Sequence, residues 1–307
     1  MTKVLIATDK PFAKIAVDEI RKIITNAGFE LVLLEKYTQA SELNDAVSEV
    51  DAVIIRSDLV TPEVISAGKN LKIVVRAGAG YDNVDLKAAS EKGVVVMNTP
   101  GQNSNAVAEL AFGMMVYMAR SLFNGTSGTE LRGKTLGIHA YGNVGKYVAQ
   151  IAKGFGMDVY AFDPFISKES ILNDGIKHIE TVEELYKTCQ YVSLHIPANA
   201  QTKKSINFDL LNLMPKGATL VNTARKEVIC EDSLIKIFEE RSDFKYVSDV
   251  EPDCKALFSE KFSGRFYFTP KKMGAQTSEA NINAGIAAAN QIVQFIKNGD
   301  TTYQVNK

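Results

Sequence analysis

Short runs of apolar, largely β-branched residues alternate along the chain with segments of helical periodicity. The first series of runs is KVLIAT (3–8), ELVLLE (30–35), AVIIRS (52–57), KIVVRA (72–77) and VVVMN (94–98). In the segment 11–28 the apolar residues recur at helical spacing, and Gly28 is placed to end a helix. Repetition of strand, helix and strand predicts a parallel sheet with helices on its faces.

A second series of six runs follows, at 134–140, 157–163, 191–197, 218–223, 245–250 and 265–270. The apolar stretch 105–125 is expected to be one helix that carries the chain from the first series to the second, and 280–299 a helix that carries it back. We therefore predict an α/β fold of two Rossmann-like, doubly wound parallel-sheet domains with a cleft between them. The expected domains are 1–100 with 285–307, and 101–284.

Composition and charge exclude several classes of protein. The formal net charge is −1, with acidic and basic residues interleaved, so we expect neither a nucleic acid nor a membrane as partner. The three cysteines are odd in number and widely spaced, which favours reduced thiols over disulfides or a metal site. No apolar run approaches the ~20 residues that span a bilayer. These features predict a soluble cytoplasmic protein.

A glycine-rich turn after the first strand of the second series predicts a dinucleotide site. It reads Ala140-x-Gly142-x-x-Gly145, and Asp163 ends the next strand. Bare backbone at Gly142 lets a pyrophosphate approach the helix N-terminus, and the carboxylate of Asp163 can accept hydrogen bonds from a ribose. A similar turn also occurs where a βαβ unit merely packs, and its first glycine is replaced here. The acid at 163 would repel a 2′-phosphate, which favours NAD over NADP.

Several motifs together resemble the D-isomer-specific 2-hydroxyacid dehydrogenases. They cover nearly the whole chain in order: GAGYDNVD (78–85), NTPGQNSNAVAEL (98–110), the glycine turn, SLHIPAN with Gln201-Thr202 (193–202), MPKGATLVNTAR (214–225) and TPKKMGAQTSEA (269–280). Within the family the resemblance is greatest to short-form members that oxidise D-3-phosphoglycerate to 3-phosphohydroxypyruvate with NAD, at the entry to serine biosynthesis. It implies a substrate-binding first domain and an NAD-binding second domain.

The resemblance also implies residue roles. Oxidation of a 2-hydroxy acid needs a cation for the carboxylate and a carrier for the hydroxyl proton, and these catalytic roles fall to Arg225 and Lys272. The residues expected to bind substrate are Arg56, Ser57, Arg76, Ala77, Gly78 and Asn103. Of these, the two arginines are expected to bind its phosphate. Those expected to bind cofactor are Ala79, Tyr141, Gly142, Asn143, Val144, Asp163, His195, Ile196, Pro197, Thr202, Thr223, Ala224, Asp249 and Gly274.

The proton carrier departs from the family pattern. The usual Thr-Pro-His-x-Gly is replaced by Thr-Pro-Lys-Lys-Met-Gly, so counting back from Gly274 selects Lys272 and counting forward from Pro270 selects Lys271. A lysine near pKa 10.4 must be shifted down to serve as a base, and burial beside other cations would shift it so. The alternative is two solvated lysines that transfer no proton. Glu251 matches the family's glutamate only if a deletion is allowed, so it is a turn residue or a catalytic partner.

Alternative functions are left open. One is a dehydrogenase for another D-2-hydroxy acid, and another is an NAD-responsive, corepressor-like binding protein, since the family includes such members. His139 and His178 are not expected to be bases. The helix 103–124 carries more apolar bulk than one core face requires, which predicts a homodimer, with core packing as the alternative: Phe112, Met114, Met115, Tyr117 and Met118.

Overall fold

Every predicted apolar run contains a strand in the structure, a computed structural model that describes residues 1–306. A two-residue strand was not foreseen and is numbered eighth. The strands are β1 (Lys3–Thr8), β2 (Glu30–Glu35), β3 (Ala52–Ile55), β4 (Ile73–Arg76), β5 (Val95–Asn98), β6 (Thr135–His139), β7 (Asp158–Phe162), β8 (Lys177–His178), β9 (Tyr191–Leu194), β10 (Thr219–Asn222), β11 (Lys245–Ser248) and β12 (Phe266–Phe268).

Helices connect the strands. They are α1 (Lys14–Asn26), α2 (Ala40–Val47), α3 (Pro62–Ala67), α4 (Leu86–Glu91), α5 (Ser104–Ala119), α6 (Asn143–Gly154), α7 (Lys168–Asn173), α8 (Val182–Thr188), α9 (Phe208–Asn212), α10 (Glu231–Glu240), α11 (Lys255–Lys261) and α12 (Ser278–Asn298). Gly299 ends α12 in the left-handed region, at φ 70°.

Two parallel sheets organise the chain, so the predicted fold class is confirmed. The first has the strand order β2-β1-β3-β4-β5 and the second β12-β11-β10-β9-β6-β7-β8, and all named strands pair in parallel. The strand order reverses between β1 and β3 in the first sheet and between β6 and β9 in the second. Ligands of open α/β sheets bind at such switch points, beyond the carboxyl ends of the strands.

Each sheet is buried on both faces. In β1, Val4 and Ile6 belong to one apolar cluster while Leu5 and Ala7 belong to another. Successive side chains of a strand point to opposite faces, so this alternation places a core on each side of the sheet. Two further clusters flank the second sheet in the same manner.

The chain forms two compact units, Met1–Asn103 with Gln276–Lys307, and Ser104–Ala275. The boundary expected at 284/285 would divide α12, but this helix belongs wholly to the first unit. It lies against α1, and a Cβ on Gly285 would come within 2.9 Å of Ile20 Cδ1. Close packing along one face of α12 keeps the helix with the first sheet.

The apolar bulk of α5 is used within the second unit. Phe112, Met114, Met115 and Met118 are buried in its core, and Tyr117 packs edge-on against Tyr267. The reason given for expecting a dimer is therefore wrong, because these side chains are accounted for by core packing. The helix also ends before 125, since Ser121, Leu122 and Phe123 all have positive φ.

Within residues 1–306, no helix combines the length and apolarity needed to cross a membrane.

Candidate functional site

The turn between β6 and α6 has the geometry of a phosphate-binding loop. Gly142 precedes the first residue of α6, and a Cβ added to it would meet nothing within 4 Å. The first N–H groups of a helix have no partner within the helix, and the helix dipole favours an anion there. Backbone at Gly142 and Asn143 therefore faces open space suited to a pyrophosphate, and Val144 beside them is half-buried.

The other glycine of the turn is required by packing. A Cβ on Gly145 would lie 2.5 Å from the carbonyl oxygen of Ala140 and 3.0 Å from Ile138 Cγ2. Ala140 itself has a φ of 81°, in the region that normally favours glycine. The chain therefore keeps the backbone path of a glycine-rich turn even where the residue is alanine.

Asp163 lies directly beside this turn. Its Oδ2 accepts a hydrogen bond of 2.7 Å from the backbone N–H of Tyr141, and its Oδ1 one of 2.8 Å from that of Phe165. The parallel register of β6 and β7 produces this proximity, since His139 pairs with Phe162. Both oxygens retain lone pairs, so a partly exposed carboxylate at the turn can also accept from a ribose diol.

His195 follows β9, the strand across the switch point from β6. Its backbone N–H donates to the carbonyl oxygen of His139, and its buried Nε2 has no hydrogen-bond partner within residues 1–306. Burial, with the nearby His139, lowers the pKa of His195 to about 3. Burial lowers the pKa of His139 to about 4. Both rings are neutral at pH 7, and their low pKa values make them weak bases at that pH.

The segment after His195 forms a closed turn. Ile196 is buried and Pro197 exposed, and the hydroxyl of Thr202 donates to the carbonyl oxygen of Pro197 at 2.5 Å. Thr202 Oγ1 also accepts from the backbone N–H of Asn199 at 2.9 Å. In this arrangement the threonine hydroxyl stabilises the turn, and its predicted contact with cofactor stays a prediction.

Asn222, the last residue of β10, holds the loop that carries Arg225. Its Oδ1 accepts from the backbone N–H of Ala224 at 2.9 Å, and its Nδ2 donates to the carbonyl oxygen of Arg225 at 3.0 Å. The hydroxyl of Thr223 in the same loop is buried and has no partner within residues 1–306. A single buried amide thus fixes the path of all three loop residues.

The guanidinium of Arg225 has donors to spare. It is half-buried, and Nη1 donates to the carbonyl oxygen of Ala224 at 2.9 Å. Within the described chain it makes no ion pair. The remaining N–H groups are in a planar fork that suits a carboxylate.

Asp249, which follows β11, is fully buried and anchors the segment 269–274. Its Oδ1 accepts from the hydroxyl of Thr269 at 3.0 Å and from the backbone N–H of Met273 at 2.7 Å. Its Oδ2 accepts from the backbone N–H of Gly274 at 2.7 Å. The expected contact of Asp249 with a nicotinamide amide stays a prediction, since the carboxylate already binds three donors of the protein.

The two lysines of this segment are exposed. Lys271, Lys272 and Met273 all lie on the surface, while Gly274 is buried. The anchor places only the ends of the segment, Thr269 and Gly274, in the interior, and the role of Lys272 as proton carrier stays a prediction. Glu251 pairs with Lys255, one turn further along the chain.

Arg56, in the first unit, is held by the protein itself. Its Nη1 donates to the carbonyl oxygens of Lys10 and Pro11, and its Nη2 donates to Asn281 Oδ1 at 2.5 Å. The guanidinium also lies over the ring of Phe12, with 5.2 Å to the centroid. Burial lowers the pKa of Arg56. The Nε–H and one N–H of Nη2 are not used in these bonds, and the role of Arg56 as a phosphate ligand stays a prediction.

Arg76 lies beside Arg56 at the end of the neighbouring strand. Its Nε donates to the carbonyl oxygen of Arg56 at 3.0 Å, and its guanidinium covers Gly78, where a Cβ would lie 1.5 Å from Nη1. Gly78 also has a φ of 150°, a backbone conformation that would strain any other residue. The other residues expected to bind substrate or cofactor in this unit are buried Ala77, half-buried Asn103, and exposed Ser57 and Ala79.

Sequence reasoning missed the buried polar residues that hold these loops. Asp58 accepts from the backbone N–H groups of Asp9 and Arg56 and from the hydroxyl of Tyr37. Asn222 and Thr269 play the corresponding part in the second unit. Each lies within a few residues of a strand's carboxyl end, and a polar residue in that position was the available signal.

Comparisons with known proteins agree with this geometry. Residues 107–258 match the model of the D-isomer specific 2-hydroxyacid dehydrogenase NAD binding domain. A hydroxypyruvate reductase from Thermotoga maritima is 35% identical over 86% of this chain and 90% of its own length. A D-3-phosphoglycerate dehydrogenase from Methanocaldococcus jannaschii is 35% identical over 83% of this chain, which spans only 52% of that relative.

A solved structure extends the likeness to the whole chain. The NAD+-bound 3-phosphoglycerate dehydrogenase of Entamoeba histolytica is 48% identical, with a TM-score of 0.86, over 100% of this chain and 99% of the other. The chain therefore belongs to the D-isomer specific 2-hydroxyacid dehydrogenases. It is an NAD-dependent dehydrogenase, and the turn at Gly142 with Asp163 beside it fits that cofactor.

Replacement of Gly145 by alanine should destabilise the NAD-binding turn. The new Cβ would collide with the carbonyl oxygen of Ala140, so we expect the free energy of unfolding to fall by about 1–3 kcal/mol and NAD to bind more weakly. Gly154→Ala in the same helix is the control, because its Cβ would meet nothing within 4 Å. Denaturant unfolding and NAD titration measure both effects, and equal stability of the two variants would contradict the packing argument.

The buried histidines predict acid sensitivity. Their folded-state pKa values, about 3 and about 4, lie below the ordinary 6.5, so below pH 6.5 the unfolded chain binds more protons than the folded protein. Stability should fall as pH drops from 6.5 towards 4, by about 1.4 kcal/mol per pH unit for each histidine. His195→Leu should weaken this dependence in denaturant unfolding at several pH values; an unchanged slope would contradict it.

Proposed function

We propose that this protein oxidises D-3-phosphoglycerate to 3-phosphohydroxypyruvate with NAD, at the entry to serine biosynthesis. The observation that carries the proposal is the 48% identity, over the whole chain, to an NAD+-bound 3-phosphoglycerate dehydrogenase. The chain spans about half the length of the curated D-3-phosphoglycerate dehydrogenases it matches, so their activity is a proposal for this chain.

The second unit is proposed to bind cofactor and to hold the reacting end of the substrate. Backbone N–H groups after Gly142 would bind the pyrophosphate, and Asp163 the ribose. The free N–H groups of Arg225 would bind the substrate carboxylate and fix the orientation of C2. NAD, when bound, supplies the acceptor for the hydride that leaves C2.

The hydroxyl proton must leave as the carbonyl forms. We propose that Lys272 accepts it, because counting back from Gly274 places this lysine at the position of the family's histidine. The hydrogen bonds from Met273 and Gly274 to Asp249 fix the backbone immediately after this lysine, so its position is defined even though its side chain is exposed.

The first unit is proposed to bind the phosphate. Arg76 and Arg56 lie together at the ends of β4 and β3, next to the backbone of Ala77 and Gly78. Two guanidinium groups can supply charge-assisted hydrogen bonds to a dianion. That the protein is a homodimer is also a proposal, which sedimentation of the purified protein would test; its location in the cytoplasm is a separate proposal, which fractionation of the cell would test.

A second candidate is the interconversion of D-glycerate and hydroxypyruvate, which lack the phosphate. Two observations favour it. The guanidinium of Arg56 is already bound by three acceptors of the protein, and a relative matched over 90% of its length is named a hydroxypyruvate reductase.

Initial rates on paired substrates distinguish the two candidates. NAD reduction should be faster with D-3-phosphoglycerate than with D-glycerate, by about a hundredfold in kcat/KM, because two charge-assisted hydrogen bonds to the phosphate are lost with the latter. The reverse reaction, with NADH and the two keto acids, should show the same preference. Equal or reversed preference would favour the second candidate, and NAD binding without turnover would favour a corepressor-like role.

Alanine substitutions should separate the two lysines. We expect Lys272→Ala to lower kcat by about 10²–10⁴-fold, the usual contribution of a positioned proton carrier, while Lys271→Ala lowers it by less than about threefold. The neighbouring lysine is a matched control, since both side chains are exposed in the same segment. Comparable losses in the two variants would defeat the assignment.

A further inference from the structure

Buried carboxylates with several hydrogen-bond donors occur in both units of this protein. Asp58 binds three donors in the first unit and Asp249 three in the second. The donors to Asp249 all belong to the single segment 269–274, whereas those to Asp58 come from three separate segments. Asp249 is therefore a connection between β11 and one loop.

The two ends of that loop are held by backbone hydrogen bonds. The backbone N–H of Thr269 donates to the carbonyl oxygen of Ser248, which continues the sheet for one residue. Beyond it, Pro270 and the next three residues are exposed, and burial resumes at Gly274. The two backbone hydrogen bonds to Asp249, from Met273 and Gly274, close the loop at its far end.

Glycine at 274 makes this closure possible. A Cβ there would lie 2.9 Å from Asp249 Oδ2 and 3.2 Å from Val107 Cγ2. The segment therefore approaches the carboxylate as closely as a bare backbone allows. Gly274 acts through this fit, in addition to any contact with cofactor.

We propose that Asp249 is a positioning residue that fixes the segment 269–274, and with it Lys271 and Lys272, for the reaction. The carboxylate acts through the loop. An ionised carboxylate only accepts hydrogen bonds, which matches three N–H and O–H donors, whereas an amide would oppose one of them with its own N–H. The catalytic part of this inference rests on the proposed function, and the structural part does not.

Limited proteolysis tests the structural part directly. Trypsin cleaves after lysine, so the exposed pair Lys271-Lys272 reports on opening of the loop, and mass spectrometry of fragments ending at 271 or 272 measures it. In Asp249→Asn we expect this cleavage to be faster by about tenfold or more, because the loop opens more often when a buried hydrogen bond is lost. Thr269→Val, which removes one donor, should give a smaller increase, and Thr269→Ser, which keeps the hydroxyl, should resemble the wild type.

Asp58→Asn is the matched control. It removes a buried, three-donor carboxylate from the first unit, so general destabilisation would accelerate cleavage at 271–272 in this variant too. We expect that it does not. If Asp249→Asn fails to fold, the two substitutions of Thr269 still decide the question, since they leave the carboxylate in place.

Kinetics distinguish positioning from direct binding of cofactor. If Asp249 acts through the loop, Asp249→Asn and Thr269→Val should lower kcat in the order of their cleavage rates, with the Kd of NAD changed by less than about twofold. A raised Kd of NAD in Asp249→Asn, with cleavage of the loop unchanged, would overturn the proposal. A different result is that the wild type has no dehydrogenase activity while Asp249→Asn is still cleaved faster than the wild type. That result would refute the proposed function and leave the role of Asp249 as the anchor of the loop intact.

Discussion

Loops that leave a parallel sheet carry backbone N–H groups that the sheet no longer pairs, and pairing them is the constraint on which this structure depends. In both units these N–H groups donate to a buried polar side chain at the end of a strand or just beyond it. Asn222 holds the loop after β10, Asp249 the segment after β12, and Asp58 the turn after β3. An unsatisfied buried group would cost about 1–3 kcal/mol at each place. The residues proposed to react are carried on backbone that is fixed in this way.

Hydrogen bonds to the protein use some of the donors and acceptors of the site residues and leave others available for a ligand. Asp163 binds the backbone of the glycine turn and of its own loop, yet it keeps lone pairs beside the open space at Gly142. Arg225 uses one N–H of its guanidinium on the chain and keeps the rest. Arg56 uses more of its N–H groups on the chain, since three acceptors bind its two Nη atoms, and it keeps fewer for a ligand. Availability of donors and acceptors, and not residue type alone, separates potential ligands from supports.

Much of the architecture could be predicted from the sequence because it depends on local periodicity. The apolar runs, the helix in 11–28 and the glycine-rich turn before α6 all follow from spacing and backbone geometry. The two-residue strand β8 has too few residues to show a pattern. The end of α5 was misplaced because Ser121, Leu122 and Phe123 adopt positive φ without any glycine among them.

The site was predictable in its residue types and less so in its contacts. Asp163 beside the glycine turn follows from strand register, which the sequence pattern reveals. The acceptors of Arg56 come from Lys10, Pro11 and Asn281, which are distant in sequence, and no local pattern predicts them. Likewise the exposure of Lys272 depends on where Asp249 pulls the ends of its segment inward. Tertiary hydrogen bonds of this kind are not recorded in the spacing of a motif.

Ala140 occupies the position of the first glycine of the dinucleotide-binding motif, yet the backbone keeps the conformation of the glycine-rich turn. A non-glycine residue in the left-handed region destabilises the folded protein by about 1–2 kcal/mol. Glycine at the same position would itself destabilise it by about 0.4–1 kcal/mol, because it increases the conformational entropy of the unfolded chain. The second effect offsets about half of the first, so alanine at this site has a net cost of about 1 kcal/mol, which a folded domain can tolerate. Searches for dinucleotide folds that insist on the initial glycine will therefore overlook chains like this one.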